Sequence, residues 1–243
     1  MSIPLQTCGK RMFWEGILDM NDFVYVVCEG QSETSFVKNV LSPYILQASY
    51  GKRFLIPYTV ITSNDKRRGR VYRGGILEYS KPKNDILICL KKGRPVTTMF
   101  DFYRLPNDFP GHSDIDRFPN DNEKIRHLEQ VLSDDIDNPL FLPYLQLHEF
   151  EALFYCDLDI LKEQYIDEQN AIEQLKSEVE GIAPEDINGG ENTSPSKRLM
   201  SHFAYQKGNV VMLTLGKIGI EKMREKCPHF SEWVERLLTI GCE

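Results

Sequence analysis

No stretch of the chain approaches the roughly 20 consecutive apolar residues that a membrane-spanning helix needs, and no signal-peptide pattern is visible. None of the six cysteines (Cys8, Cys28, Cys89, Cys156, Cys227 and Cys242) falls in a CxxC pair. That removes zinc-ribbon and thioredoxin-like readings. Cys28 and Cys89 sit in apolar runs and read as buried thiols, a pattern that fits a reducing cytoplasm. The G-x-x-x-x-G-K-S/T phosphate loop is missing, so the chain brings no such ATPase site of its own. There is no internal repeat. Positive charge is also in short supply. Lys and Arg number 29 against 36 Asp and Glu, a net charge of −7. This argues against generic nucleic-acid binding, and a nucleic-acid enzyme of this charge needs a local basic surface or a partner that supplies one.

What is present is an ordinary globular composition, 41% hydrophobic and 27% charged over 243 residues. It allows one sizeable α/β domain plus an appendage. Residues 1–20 show no period and are expected to be an N-terminal extension, with Met20 an alternative start. Residues 21–166 alternate strand and helix. Strands are predicted at 23–28 (FVYVVC), 53–62 (RFLIPYTVIT), 95–101 (PVTTMFD) and 140–147 (LFLPYLQL). Helices are predicted at 33–48, from Pro82 to Lys92, at 122–133 and at 149–165. Pro57 implies that the second strand is an edge or carries a bulge. Four such repeats indicate an α/β fold with a mostly parallel sheet of about four strands flanked by helices. From 167 to 243 the pattern becomes helical, at 168–179, 196–203, 218–226 and 230–238. This region is expected to pack on the α/β domain.

The chemistry-bearing feature is a set of acids at strand ends, where open α/β sheets place ligands and metals. Glu29 ends the first strand and is followed by Gly30, and Glu33 lies in the first turn of the next helix. Asp101 ends the third strand, and Glu149 and Glu151 follow the fourth. Carboxylates gathered in this way repel one another unless a cation sits between them, and magnesium or manganese favours such hard oxygen ligands. Each acid also has an ordinary alternative. Glu33 complements a helix dipole, Asp101 can cap a loop, and only one of Glu149 and Glu151 can face the site directly. His148 can act as a general base, a ligand or an orienting group, or be a structural histidine. The local basic surface is Lys66, Arg67, Arg68, Arg70 and Arg73, for which a solvated loop is an equal reading.

These residues resemble the TOPRIM fold of topoisomerases, primases and overcoming-lysogenisation-defect nucleases, which places a glutamate after its first strand and D-x-D after its third. Here the two elements read VCEGQSE and FDFY. More closely, the chain resembles a family of bacterial TOPRIM-like proteins often encoded beside ABC- or SMC-like ATPases. The resemblance rests on VYVVCEGQSETSFV, TTMFDFYRLPNDFPG, LPYLQLHEFEALFYCD, NTSPSKRL and IGIEKMREKCPHFSEW, which together run from about Phe23 to Trp233. It implies phosphodiester cleavage of DNA or RNA with magnesium or manganese, by an effector of defence against phage working with a partner ATPase. In this chain Tyr103 stands where the pattern has its second acid. The implied site therefore leans on Glu29, Asp101 and the Glu149/Glu151 segment, with Glu33 in support. A non-catalytic module that binds an ATPase or nucleic acid, and another nucleotide phosphoryl-transfer enzyme, are the alternatives. A homodimer is also expected as an option.

Two further segments point to phosphate. Ser194-Pro195 reads as a helix start, and Lys197 and Arg198 in its first turn, beside exposed backbone N–H groups, suit a phosphate. Pairing with Glu185 or Asp186 is the competing role. Tyr103 can hydrogen-bond a phosphate or pack its loop. His112 lies in the loop after Asp101, and His229 in KCPHF reads as the start of the last helix.

Overall fold

The computed structural model describes residues 22–65, 70–73, 75–187, 193–203 and 209–241. The expected extension, residues 1–20, lies outside them. The chain runs from β1 (Phe23–Cys28) through a helical stretch, α1 (Gln31–Phe36) and α2 (Ser42–Ala48), to β2 (Phe54–Thr59). A hairpin of β3 (Ile61–Asp65) and β4 (Arg70–Arg73) follows, then α3 (Ser80–Leu90), β5 (Val96–Asp101) and α4 (Asp121–Ile136). Two short strands, β6 (Phe141–Leu142) and β7 (Leu145–Gln146), complete the sheet. Its order is β2-β1-β5-β6, with β7 also on β5, and every pairing is parallel.

Alternation along β1 explains its burial on both faces. Val24, Val26 and Cys28 join one apolar cluster, and Tyr25 and Val27 join the other. The second cluster is closed by α3 and α4 through Ile86, Cys89, Ile125, Leu128 and Leu132. The first is closed by α1 and α2 together with the C-terminal helices α5 (Leu158–Gln164), α6 (Gln169–Glu178), α7 (Pro195–His202), α8 (Asn209–Ile218), α9 (Ile220–Lys226) and α10 (Pro228–Thr239). Trp233 of α10 stacks on Tyr144 with centroids 4.0 Å apart, and its indole N–H donates to Thr97 Oγ1 of β5 at 2.9 Å. The described helices between 167 and 241 are thus part of one of the two layers that cover the sheet.

Several expected elements are corrected. The fourth strand is split at Pro143, which has no N–H for a ladder. Thr98 spans the gap: its Oγ1 accepts from the Tyr144 N–H at 2.8 Å and donates to the Tyr144 carbonyl at 2.9 Å. The first helix contains a π-helical turn at Val37–Leu41. Pro43 would clash with the carbonyl four residues back in a regular α-helix, and a wider turn just before it relieves that. The predicted helix at 149–165 is two elements. Phe150–Cys156 forms 3-10 turns with all seven residues buried, and Asp157 caps α5 by accepting from the N–H groups of Asp159 and Ile160. Of the predicted basic loop, Arg70 and Arg73 fall in β4, and residues 66–68 lie outside the described residues. Pro57 does lie on an edge strand, β2. No helix among the described residues is long and apolar enough to cross a membrane.

Candidate active site

Parallel pairing in register brings the carboxyl ends of β1 and β5 side by side, with Cys28 opposite Met99. One more ladder bond, from the Glu29 N–H to the Met99 carbonyl at 3.1 Å, carries the chain to the first acid. From there a chain of carboxylate-to-backbone hydrogen bonds links four segments. Glu29 Oε2 accepts from the Asp101 N–H at 3.1 Å. Asp101 Oδ1 accepts from the Phe150 N–H at 2.9 Å. Glu149 Oε2 accepts from the Ser196 N–H at 2.9 Å. All five predicted acids, Glu29, Glu33, Asp101, Glu149 and Glu151, are buried. The approach of the other four is felt at Asp101. Burial, then the charges of Glu29, Glu33, Glu151 and Glu149, hold its carboxyl well above the usual aspartate range.

Glu33 reaches back over the turn. A Cβ at Gly30 would lie 3.0 Å from Glu33 Oε2, so the missing side chain of Gly30 is what lets the carboxylate close on the backbone. Glu149 replaces the expected cap of α7. Ser194 occupies the N-cap position but its side chain makes no capping bond, and the Glu149 carboxylate takes the Ser196 N–H instead. The helix dipole favours negative charge there.

The phosphate candidates fare differently. Arg198 pairs with an acid, as the competing role allowed, but that acid is Glu178 rather than Glu185 or Asp186, and Arg198 also donates to the Thr193 carbonyl at 2.7 Å. Lys197 is exposed on α7. Tyr103 is 39% exposed, its ring 5.4 Å from that of His148. Lys66, Arg67 and Arg68 lie outside the described residues, as does the side chain of Arg70. The base of their hairpin is fixed at the site, however. The Val60 N–H donates to the Cys28 carbonyl and the Gly75 N–H to the Glu29 carbonyl, both at 3.0 Å. The hairpin therefore leaves and returns beside the first acid.

His148 is buried, with φ of 61°, and its ring faces Asp121 rather than the five acids, Nδ1 lying 3.8 Å from Asp121 Oδ2. Burial lowers its pKa, against the pull of Asp121 and a hydrogen bond to the Glu185 backbone. His229 does start the last helix. Its backbone N–H and that of Phe230 donate to the two carboxylate oxygens of Glu185, at 3.0 and 2.9 Å. His112 sits in 3-10 turns at His112–Arg117. Sequence reasoning missed Asp121 and the backbone donors at Phe150 and Ser196. Asp121 looks like any helix-start acid, and backbone donors carry no sequence signal.

Asp101 and the four glutamates around it are hard oxygen donors whose chemistry fits magnesium or manganese. Among the described residues no three His, Cys, Asp or Glu side chains are already set to hold a metal ion. Three of the five acids are turned onto backbone N–H groups, and a cation would draw on their second oxygens or turn them. No curated protein and no solved structure matches the chain. A family model matches residues 28–238, nearly the whole chain, and the protein belongs to that family, described as a domain of unknown function, DUF4276.

Proposed function

We propose that the chain is a magnesium- or manganese-dependent phosphodiesterase acting on DNA or RNA. The observation that carries this is the convergence of Glu29, Asp101 and the Glu149–Glu151 segment from three strand ends onto one buried, mutually repelling cluster. Burying like charges together is costly, and a cation held among them offsets that cost. A divalent cation bound there supplies Lewis acidity and a water of lowered pKa. The chain's own groups do the rest. The backbone N–H groups of Asp101, Phe150 and Ser196 fix the carboxylates in place. Lys66, Arg67, Arg68 and Arg70 are assigned to a phosphate backbone on their charge. Tyr103, at the rim, offers a hydroxyl to a phosphate, and exposed Lys197 a charge. The resemblance adds the setting: an effector of defence against phage, partnered by an ABC- or SMC-like ATPase.

A second reading is favoured by a specific observation. Glu29, Asp101 and Glu149 already serve backbone donors, and Tyr103 replaces an acid. A non-catalytic module that binds an ATPase or a nucleic acid would keep these bonds as structural caps. One assay separates the two. The purified chain, with and without a neighbour-encoded ATPase, is incubated with plasmid DNA and total tRNA in magnesium or manganese. Cleavage that disappears in Glu29→Gln and Asp101→Asn supports the phosphodiesterase. No cleavage in any metal, or cleavage unchanged in both variants, sinks it.

A further inference from the structure

The start of α7 carries three hydroxyls, of Thr193, Ser194 and Ser196, beside the carboxylate of Glu149. Glu149 Oε2 takes the Ser196 N–H at 2.9 Å. Pro195 brings no N–H, and the Lys197 N–H, still in the first turn, has no carbonyl to meet within the helix. Glu149 thus serves one backbone donor and leaves hydroxyls unserved. Ser194 is 6% exposed at the N-cap position, and its hydroxyl makes neither a capping bond nor another hydrogen bond among the described residues. Thr193 Oγ1 is buried with no hydrogen-bond partner among them. Buried hydroxyls are ordinarily satisfied, so two orphans at one helix start call for a ligand with more acceptor oxygens than a carboxylate has. The backbone on either side of Ser194 is held in place. Tyr155 donates its O–H to the Pro195 carbonyl at 2.8 Å, and Arg198 Nε donates to the Thr193 carbonyl at 2.7 Å. The turn also adjoins the acids, since Phe150, the residue after Glu149, gives its N–H to Asp101 Oδ1 at 2.9 Å.

We propose that the turn from Thr193 to Lys197 is the subsite for a phosphate of a nucleic-acid backbone, and that Glu149 occupies it in this structure. The phosphate oxygens accept from the Ser196 and Lys197 N–H groups and from the Thr193 and Ser194 hydroxyls, at the positive end of the helix dipole. Lys197, exposed on α7, adds a charge, whereas Arg198 is committed to Glu178. Glu149 and the phosphate compete for one N–H, so the anion enters when the Glu149 carboxylate turns away toward the other acids. Naming the ligand as nucleic acid rests on the phosphodiesterase reading. The phosphate subsite itself rests on the orphan hydroxyls.

The test titrates the full chain with inorganic phosphate in chelator, followed by calorimetry, and needs no cleavage. Glu149→Ala empties the turn and is expected to bind phosphate roughly tenfold more tightly than wild type. Glu149→Gln removes the same charge but keeps an acceptor on the Ser196 N–H, so its gain is expected to be small. Ser194→Ala in the Glu149→Ala background should undo the gain, and a short oligonucleotide should displace the bound phosphate. Circular dichroism checks that each variant is folded. If Glu149→Ala does not fold, the Ser196 amide resonance of the wild-type chain carries the test. Phosphate added with magnesium must shift it, and Ser194→Ala must weaken that response. Equal gains in Glu149→Ala and Glu149→Gln, a gain untouched by Ser194→Ala, an unmoved Ser196 resonance, or phosphate displaced by a mononucleotide and not by the oligonucleotide overturns the inference. Cleavage is read separately: its absence beside intact phosphate binding sinks the phosphodiesterase and leaves the subsite standing.

Discussion

Glu29 Oε2 accepts the backbone N–H of Asp101 at 3.1 Å, so the acid that ends one strand is held by the backbone of the acid that ends its neighbour. The two substitutions at Glu29 should therefore part company. Glu29→Ala leaves a buried N–H without its acceptor, a cost of about 1–3 kcal/mol. Its melting temperature should fall by several degrees, at roughly 2–4 °C per kcal/mol for a chain of this size. Glu29→Gln keeps an acceptor and removes a charge from beside Asp101, so it should melt at or above wild type. Equal losses in the two variants would contradict this account of the bond.

Asp101 makes the stability of the metal-free protein depend on pH. Its folded pKa is raised by burial and then by Glu29, Glu33, Glu151 and Glu149, so the folded state holds this proton more tightly than the unfolded chain. The associated stability is complete below the ordinary aspartate value and is lost as pH rises through the raised one. Thermal melts in chelator should fall with rising pH across that range. In Asp101→Asn, which keeps an acceptor for the Phe150 N–H, this fall should flatten. Curves of the same slope for both proteins would show that Asp101 is not the titrating group.

The C-terminal helices are predicted to be integral to the fold. Trp233 is 3% exposed, stacked on Tyr144 and bonded to Thr97 of the central sheet. Trp233→Ala should cost about 3–5 kcal/mol, read from urea midpoints, with the whole chain unfolding in one transition. A loss under about 1 kcal/mol, or a separate early transition, would mean that α10 is only loosely attached.

Gly30→Ala should leave the fold intact, since its φ of −143° is open to any residue, yet it pushes on Glu33 Oε2. Manganese affinity, followed by electron paramagnetic resonance, should drop by up to about tenfold, equivalent to 1.4 kcal/mol. An unchanged affinity would remove Glu33 from the site.

The parallel sheet and its acids were readable because each depends on local pattern. FVYVVC and PVTTMFD are apolar runs that stop at a carboxylate, and Pro57 marks an edge. The elements misread were those set by tertiary contact. FEALFYC is apolar at all positions but Glu151 and so gives no helical stripe, and the break before α5 comes at Asp157, which caps that helix. The break at Pro143 is bridged by a threonine from another strand, a contact that no window along the sequence contains. The π turn before Pro43 follows from a steric clash that periodicity does not register. The five acids are buried together at the strand ends, whereas the backbone donors that hold three of them carry no sequence signal. The acid that pairs with Arg198 was not legible, because Glu178 lies 20 residues away on α6.

The most direct test of the central claim is anomalous diffraction from a crystal of the full chain soaked in manganese. The account predicts a manganese peak between Glu29 and Asp101, about 2.1 Å from a carboxylate oxygen of each, absent in Asp101→Asn crystals. A soaked wild-type crystal with no peak there, and with Glu29 and Asp101 still bonded to the Asp101 and Phe150 N–H groups, would contradict it.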